Sequence, residues 1–146
     1  ITIAFSQAYN EDKIVFSNYL KRMYKAAPFE GVKIVNDDDQ EYLVSVVSLE
    51  KSKYTNPSVM NRLAQVKAQS QANTFINGST ISSDLIIDTS EKKSNNNVIE
   101  STVKTIERIK EDSIGFTKGL ELLTTFDEDG TRVVFIYFRA LKNITH

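Results

Sequence analysis

The chain has no cysteine, and this removes several chemistries at once. Disulfides, thiolate nucleophiles and cysteine-ligated zinc are excluded. Histidine is nearly as scarce: the one copy, His146, is the last residue. A Ser-His-Asp relay or a histidine-held metal would have to be built around that terminal side chain, so neither is expected, and His146 reads as a terminal or tag-derived residue. The five glycines are scattered, so no glycine-rich loop exists to cradle a phosphate. Ser82, Ser83 and Asp84 lack the glycine frame of a nucleophile elbow. No apolar run approaches the roughly eighteen residues of a helical bilayer span.

Charge of one sign is also missing. Lys and Arg total 18 against 19 Asp and Glu, for a net charge of −1. That balance gives no electrostatic reason to expect nucleic acid or a polybasic membrane-surface segment. Basic residues are not interleaved with exposed aromatics, which argues further against single-stranded nucleic acid.

What remains is ordinary globular material. With 146 residues, 40% hydrophobic and 25% charged, the chain suits one core, and residues 1–146 are expected to form a single soluble α+β domain. Residues 1–9 alternate apolar positions at Ile1, Ile3 and Phe5 and read as a short strand or extended arm. Asn10 suits an N-cap, with Glu11 and Asp12 following where the helix dipole favours acid. Ile14, Phe16, Tyr19, Leu20, Met23 and Tyr24 then recur at helical spacing, predicting a helix over 11–26 that Pro28 stops.

Residues 32–36 and 41–50 read as a β-hairpin around the turn chemistry of Asn36-Asp37-Asp38-Asp39. The second strand places Tyr42, Val44 and Val46 on one side and Leu43, Val47 and Leu49 on the other, as an internal strand does. Thr55-Asn56-Pro57 starts a helix that runs to about Ile76, with Asn77-Gly78 as its left-handed cap. Its buried face is expected at Ala64, Ala68 and Ala72, flanked by Met60, Leu63, Phe75 and Ile76, a small-residue stripe that lets a helix lie close to a sheet. Residues 80–89 alternate Ile81, Ser83, Leu85 and Ile87 as a strand does, 91–97 form a polar loop, and Ile99, Val103, Ile106 and Ile109 predict a helix over 99–112. A second hairpin closes the chain. Phe116, Leu120, Leu122, Thr124 and Phe126 alternate, Asp127-Glu128-Asp129-Gly130 turns, and Arg132–Leu141 is apolar on both faces as a central strand would be.

The expected fold class is therefore α+β: two layers, a mostly antiparallel curved sheet of 4–5 strands, and 2–3 helices on one face. The acidic groups at Asn36–Glu41 and Asp127–Gly130 invite a reading as calcium loops, yet neither has the spacing of an EF-hand and both fall where a hairpin must turn. The sequons at Asn77 and Asn143 carry no separate weight, the first being accounted for as a helix cap. No catalytic, cofactor-binding or metal-binding residues are assigned.

The order of these elements resembles a known family. A strand leads into a long Ala64/Ala68/Ala72 helix ending in Phe-x-Asn-Gly, and Ser82-Ser83 follows. Then come Ser113-Ile114-Gly115-Phe116-x-x-Gly119 and an Asp129-Gly130 hairpin. Over residues 41–141 this is similar to the small envelope domain of bacterial lipoprotein-20-type surface proteins and of the N-terminal part of the flagellar ring protein FlgT. The resemblance implies a non-enzymatic assembly module of the periplasm or outer membrane, with a protein partner in the envelope and no cofactor. It implies no site residues. A chain opening on Ile1 is expected to be a processed or trimmed product. A removed signal peptide accounts for this, as does a domain cut from a longer chain. With no lipobox cysteine present, a lipid anchor would precede Ile1.

The competing expectation is a small-ligand-binding or hydrolytic domain with a pocket between helices and sheet, lined by Tyr42, Tyr137 and Arg139. A third is a partner protein that offers an open sheet edge for pairing. Whichever holds, the alanine stripe is testable. Ala68→Leu should overpack the helix–sheet contact and cost on the order of 1–3 kcal/mol. An unchanged melting temperature would remove the stripe from the core.

Overall fold

The computed structural model describes the backbone of residues 2–37, 40–78, 80–90 and 96–141, and side chains from Lys13 onward. The elements run α1 (Thr2–Ala26), β1 (Gly31–Asp37), β2 (Gln40–Glu50), α2 (Pro57–Gly78), β3 (Ile86–Asp88), α3 (Asn96–Ile109), α4 (Ser113–Lys118), β4 (Glu121–Glu128) and β5 (Arg132–Ala140). The five strands form one open sheet in the order β3-β1-β2-β5-β4. Three of its pairings are antiparallel and β1–β3 is parallel. This is the expected α+β class.

The two strands that are apolar on both faces lie innermost. β2 and β5 pair along nine positions, from Tyr42 opposite Ala140 to Glu50 opposite Arg132. Alternation sends their side chains to two separate cores. On one face Leu43, Val47, Leu49, Phe135 and Tyr137 meet Ala64, Ala68, Ala72, Phe75 and Ile76 of α2 and Ile106 of α3. On the other, Val44, Val46, Val134, Ile136 and Phe138 meet Phe16, Leu20 and Tyr24 of α1. The expected helices on one face are therefore α2, α3 and α4. The two-layer expectation is corrected by α1, which lies on the opposite face as a third layer. Helical spacing shows which side of α1 is buried but not which side of the sheet receives it.

The contact between α2 and β2 is close enough for a direct hydrogen bond between them. Ala64, Ala68 and Ala72 are all fully buried. Beneath them Ser45, also fully buried, donates its hydroxyl to the Ala68 carbonyl at 3.0 Å. Gln71 donates to both Ser45 Oγ (3.2 Å) and the Val46 carbonyl (3.1 Å). Only small side chains let a strand hydroxyl reach a helix carbonyl in this way. Leu63, expected on the buried flank, is 42% exposed, and with Val59 and Val66 it marks the outward side of α2.

Several local expectations are corrected. Residues 2–9 continue α1 rather than forming a strand, and Asn10 lies inside that helix instead of capping it. Once a helix is nucleated downstream, extending it through residues without Pro or Gly adds a hydrogen bond per residue fixed. Ile14 is exposed on α1. The strand expected over 80–89 shrinks to Ile86–Asp88, because Ser83–Leu85 takes a 3₁₀ turn closed by Leu85 N–H to the Ser82 carbonyl. Ser and Asp side chains compete with ladder bonding at such places. Gly78 ends α2 without a left-handed φ. Asn77 instead donates to the Asn73 carbonyl (2.8 Å) and to Ser113 Oγ (3.0 Å), tying α2 to α4.

Phe116 belongs to α4, not to a strand, since Asp112 accepts from Gly115 N–H and starts a helix there. The expected alternation along β4 is broken by a bulge between Leu122 and Thr124. Leu122 is left 47% exposed, while Leu123 and Phe126 pack beside α1. The β4–β5 turn forms as expected, with Asp129 (φ 53°) and Gly130 (φ 72°) both left-handed. Asp38, Asp39, residues 91–95 of the expected 91–97 loop, Asn143 and His146 lie outside the described residues, and Asn96 and Asn97, expected in that loop, open α3.

Ser45→Ala should remove the bond to the Ala68 carbonyl and the anchor for Gln71. The expected cost is about 1 kcal/mol, or a fall of about 3 °C in Tm. A Tm equal to that of the unmodified chain would show that the hydroxyl does not hold α2 to the sheet.

Candidate functional site

The three residues expected to line a pocket are not brought together. Tyr42 faces the α1 side, its ring 4.8 Å from Phe16 and 5.8 Å from Phe138. Tyr137 lies on the opposite face, buried in the core under α2. Arg139 shares that face with Tyr137 two residues on, but its guanidinium is already engaged.

Arg139 acts as a clamp. Its Nη1 donates to the carbonyls of Phe116 and Gly115, and its guanidinium carbon lies 4.5 Å from the Phe116 ring centre. The Phe116 carbonyl also accepts from the Gly119 N–H at 3.0 Å, so Arg139 adds a second donor at this helix end, where the helix dipole favours a cation. Gly119 makes the room: a Cβ there would collide with the guanidinium. Gly115 is spared a Cβ for a parallel reason, since one would collide with the capping Asp112 carboxylate. The two glycines of the Ser113–Gly119 motif thus serve the packing of α4.

Other polar groups are likewise engaged in holding elements. Ser113 Oγ donates to Asn73 Oδ1 at 2.6 Å, and Thr102 of α3 bonds the Glu41 carboxylate of β2. Arg132 holds Ser48 through its hydroxyl (2.7 Å) and carbonyl (2.9 Å). Thr89 donates to Asp37 at 2.8 Å, closing the β1–β3 corner. Among the described residues no buried side-chain nitrogen or oxygen lacks a partner, and no group of three or more acidic or histidine side chains is placed to hold a metal. Burial pushes the Tyr137 phenol above its ordinary pKa, and burial followed by the neighbouring Glu128 does the same for Tyr24. Both stay protonated at neutral pH, as core phenols rather than bases.

What the fold leaves open lies at β4. Among the described residues this strand ends the sheet, with β5 on one side and no strand on the other. On the face that carries α2, Leu122 and Thr125 of β4 are exposed. On its other face α1 runs alongside. Lys13 pairs with Glu121 at one end, and Tyr24 packs edge-on against Phe126 at the other. Between α1 and β4 opens a groove of about 220 Å³, lined by Lys13, Ile14, Ser17, Asn18, Lys21 and Leu123. Leu123, on the α1 face of β4, sits at the bulge, and a bulge leaves no signature in hydrophobic alternation. Sequence reading found the strand and missed the groove, although the cations of α1 were visible.

No described helix is long and apolar enough to cross a membrane. Comparison with protein-family models, with curated proteins and with solved structures finds no match to this chain.

The Arg139 clamp predicts a non-additive pair. Gly119→Ala should displace the guanidinium and cost about 1–2 kcal/mol, the scale of a charge-assisted hydrogen bond that is partly exposed. In an Arg139→Met background the same change should cost much less. Equal costs in urea unfolding of both backgrounds would show that Gly119 does not make room for Arg139.

Proposed function

We propose that this chain is a non-catalytic protein-interaction or assembly domain of the cell envelope or of the secreted space, working by offering the open edge of β4 to an extended partner segment. One observation carries the reading. β4 is 8 residues long, sits at the sheet edge, and is uncharged from Leu122 to Phe126, with Leu122 47% exposed. Unpaired edge groups of this length are a template for strand addition, in which main-chain bonds give affinity and alternate side chains give choice of partner. The other edge, β3, has only 3 residues.

The envelope placement rests on the family resemblance over residues 41–141. The pocket-based alternative draws no support from its expected residues, because Tyr42 and Tyr137 face opposite sides of the sheet.

The test is fractionation of a bacterium expressing the tagged chain in its natural sequence context. The chain should sediment with envelope assemblies. Leu122→Lys, a change at an exposed position, should release it into the unsedimented fraction with Tm unchanged. Recovery from the cytosol, or retention of the Leu122→Lys variant on the envelope, would contradict the proposal.

A further inference from the structure

The near-zero net charge conceals a local asymmetry. Helix α1 carries Lys13, Lys21, Arg22 and Lys25 against Glu11 and Asp12, an excess of two cations in a chain whose net charge is −1, and all four cations follow the two acids. Two of these cations, Lys13 and Lys21, line the groove beside β4, with Ile14 and Leu123 as its apolar part. A strand added to β4 would send alternate side chains to the α1 side of the sheet. The residue next to Leu123 would then enter a groove lined by the apolar Ile14 and Leu123, the polar Ser17 and Asn18 and the cations Lys13 and Lys21.

Resting on the β4-edge reading, we infer that the groove between α1 and β4 selects an acidic side chain of the added strand, a Glu or Asp flanked by uncharged β-forming residues. The carboxylate would sit near Lys21 and share Lys13, which already pairs with the exposed Glu121 at 3.7 Å. A second copy of this chain fits poorly as occupant. Antiparallel pairing of β4 with itself about its midpoint sets Glu121 against Glu128, and like charges directly opposite are unfavourable. A peptide with an acid at the groove and neutral or basic ends avoids that conflict.

The experiment pans a display library of 8-residue peptides, matched to the length of β4, against the intact chain and against Lys21→Glu, Leu122→Lys and Lys13→Glu variants. The expected binders are β-branched and uncharged except for one acid at a fixed position. Replacing that acid with its amide should weaken binding about threefold, and Lys21→Glu should weaken it up to about tenfold and shift the preference toward Lys. Both effects should fade in high salt. Binders that are lost with Leu122→Lys but show no acid preference, or a preference unmoved by Lys21→Glu, overturn this inference and leave the β4 edge standing. Binders indifferent to Leu122→Lys, or no binders at all, overturn the edge reading as well. Concentration-dependent dimerisation abolished by Leu122→Lys would assign the edge to a second copy and overturn the inference too.

Discussion

The closeness of α2 to β2 is the constraint on which the rest of the structure depends. Three alanines in register let the helix axis approach until a strand serine reaches a helix carbonyl. That contact uses the one donor that Ser45 buries, so the strand can carry a hydroxyl at full burial without the cost of an unpaired group. It also holds α2 on the sheet. From there Asn73 and Asn77 meet Ser113 and set the position of α4. α4 in turn supplies the carbonyls that Arg139 holds, which pins the outer end of β5. A chain of small-residue packing and fully partnered polar groups thus runs from the centre of the sheet to its rim.

On the opposite face the logic differs. α1 packs through aromatic side chains, with Phe16 against Tyr42 and Phe138, and Tyr24 against Phe126 and Phe29. Rings of this size hold a helix away from the sheet, where the alanine stripe draws one in. The groove between α1 and β4 lies beside the bulge at Leu122–Thr124.

Much of this was legible in the residues themselves. The two-faced apolar runs of β2 and β5 declared central strands, and the Ala64/Ala68/Ala72 spacing declared the face that meets the sheet. Asp129-Gly130 declared its turn, because two left-handed positions in succession favour that dipeptide. The remainder was illegible for physical reasons. Periodicity ranks the sides of α1 but does not choose a face of the sheet. Alternation over Ile81–Ile87 could not reveal that Ser83 and Asp84 would turn the backbone. Arg139 is expected to line a pocket, and only its bond to the Phe116 carbonyl and the space at Gly119 show that it holds the chain's own helix end. The candidate site was the least legible part, since an open edge and a bulge are properties of neighbours that are absent or displaced.

The claim at the centre is that β4 stands open to a partner strand. Amide hydrogen exchange resolved along Glu121–Glu128 tests it most directly. In the free chain, the amides of β4 that do not point at β5 should exchange rapidly while those of β2 stay protected. A bound acid-bearing peptide should protect these β4 amides and leave β2 unchanged. Uniform protection of β4 in the free chain, or rapid exchange that persists in the bound state, would contradict the account.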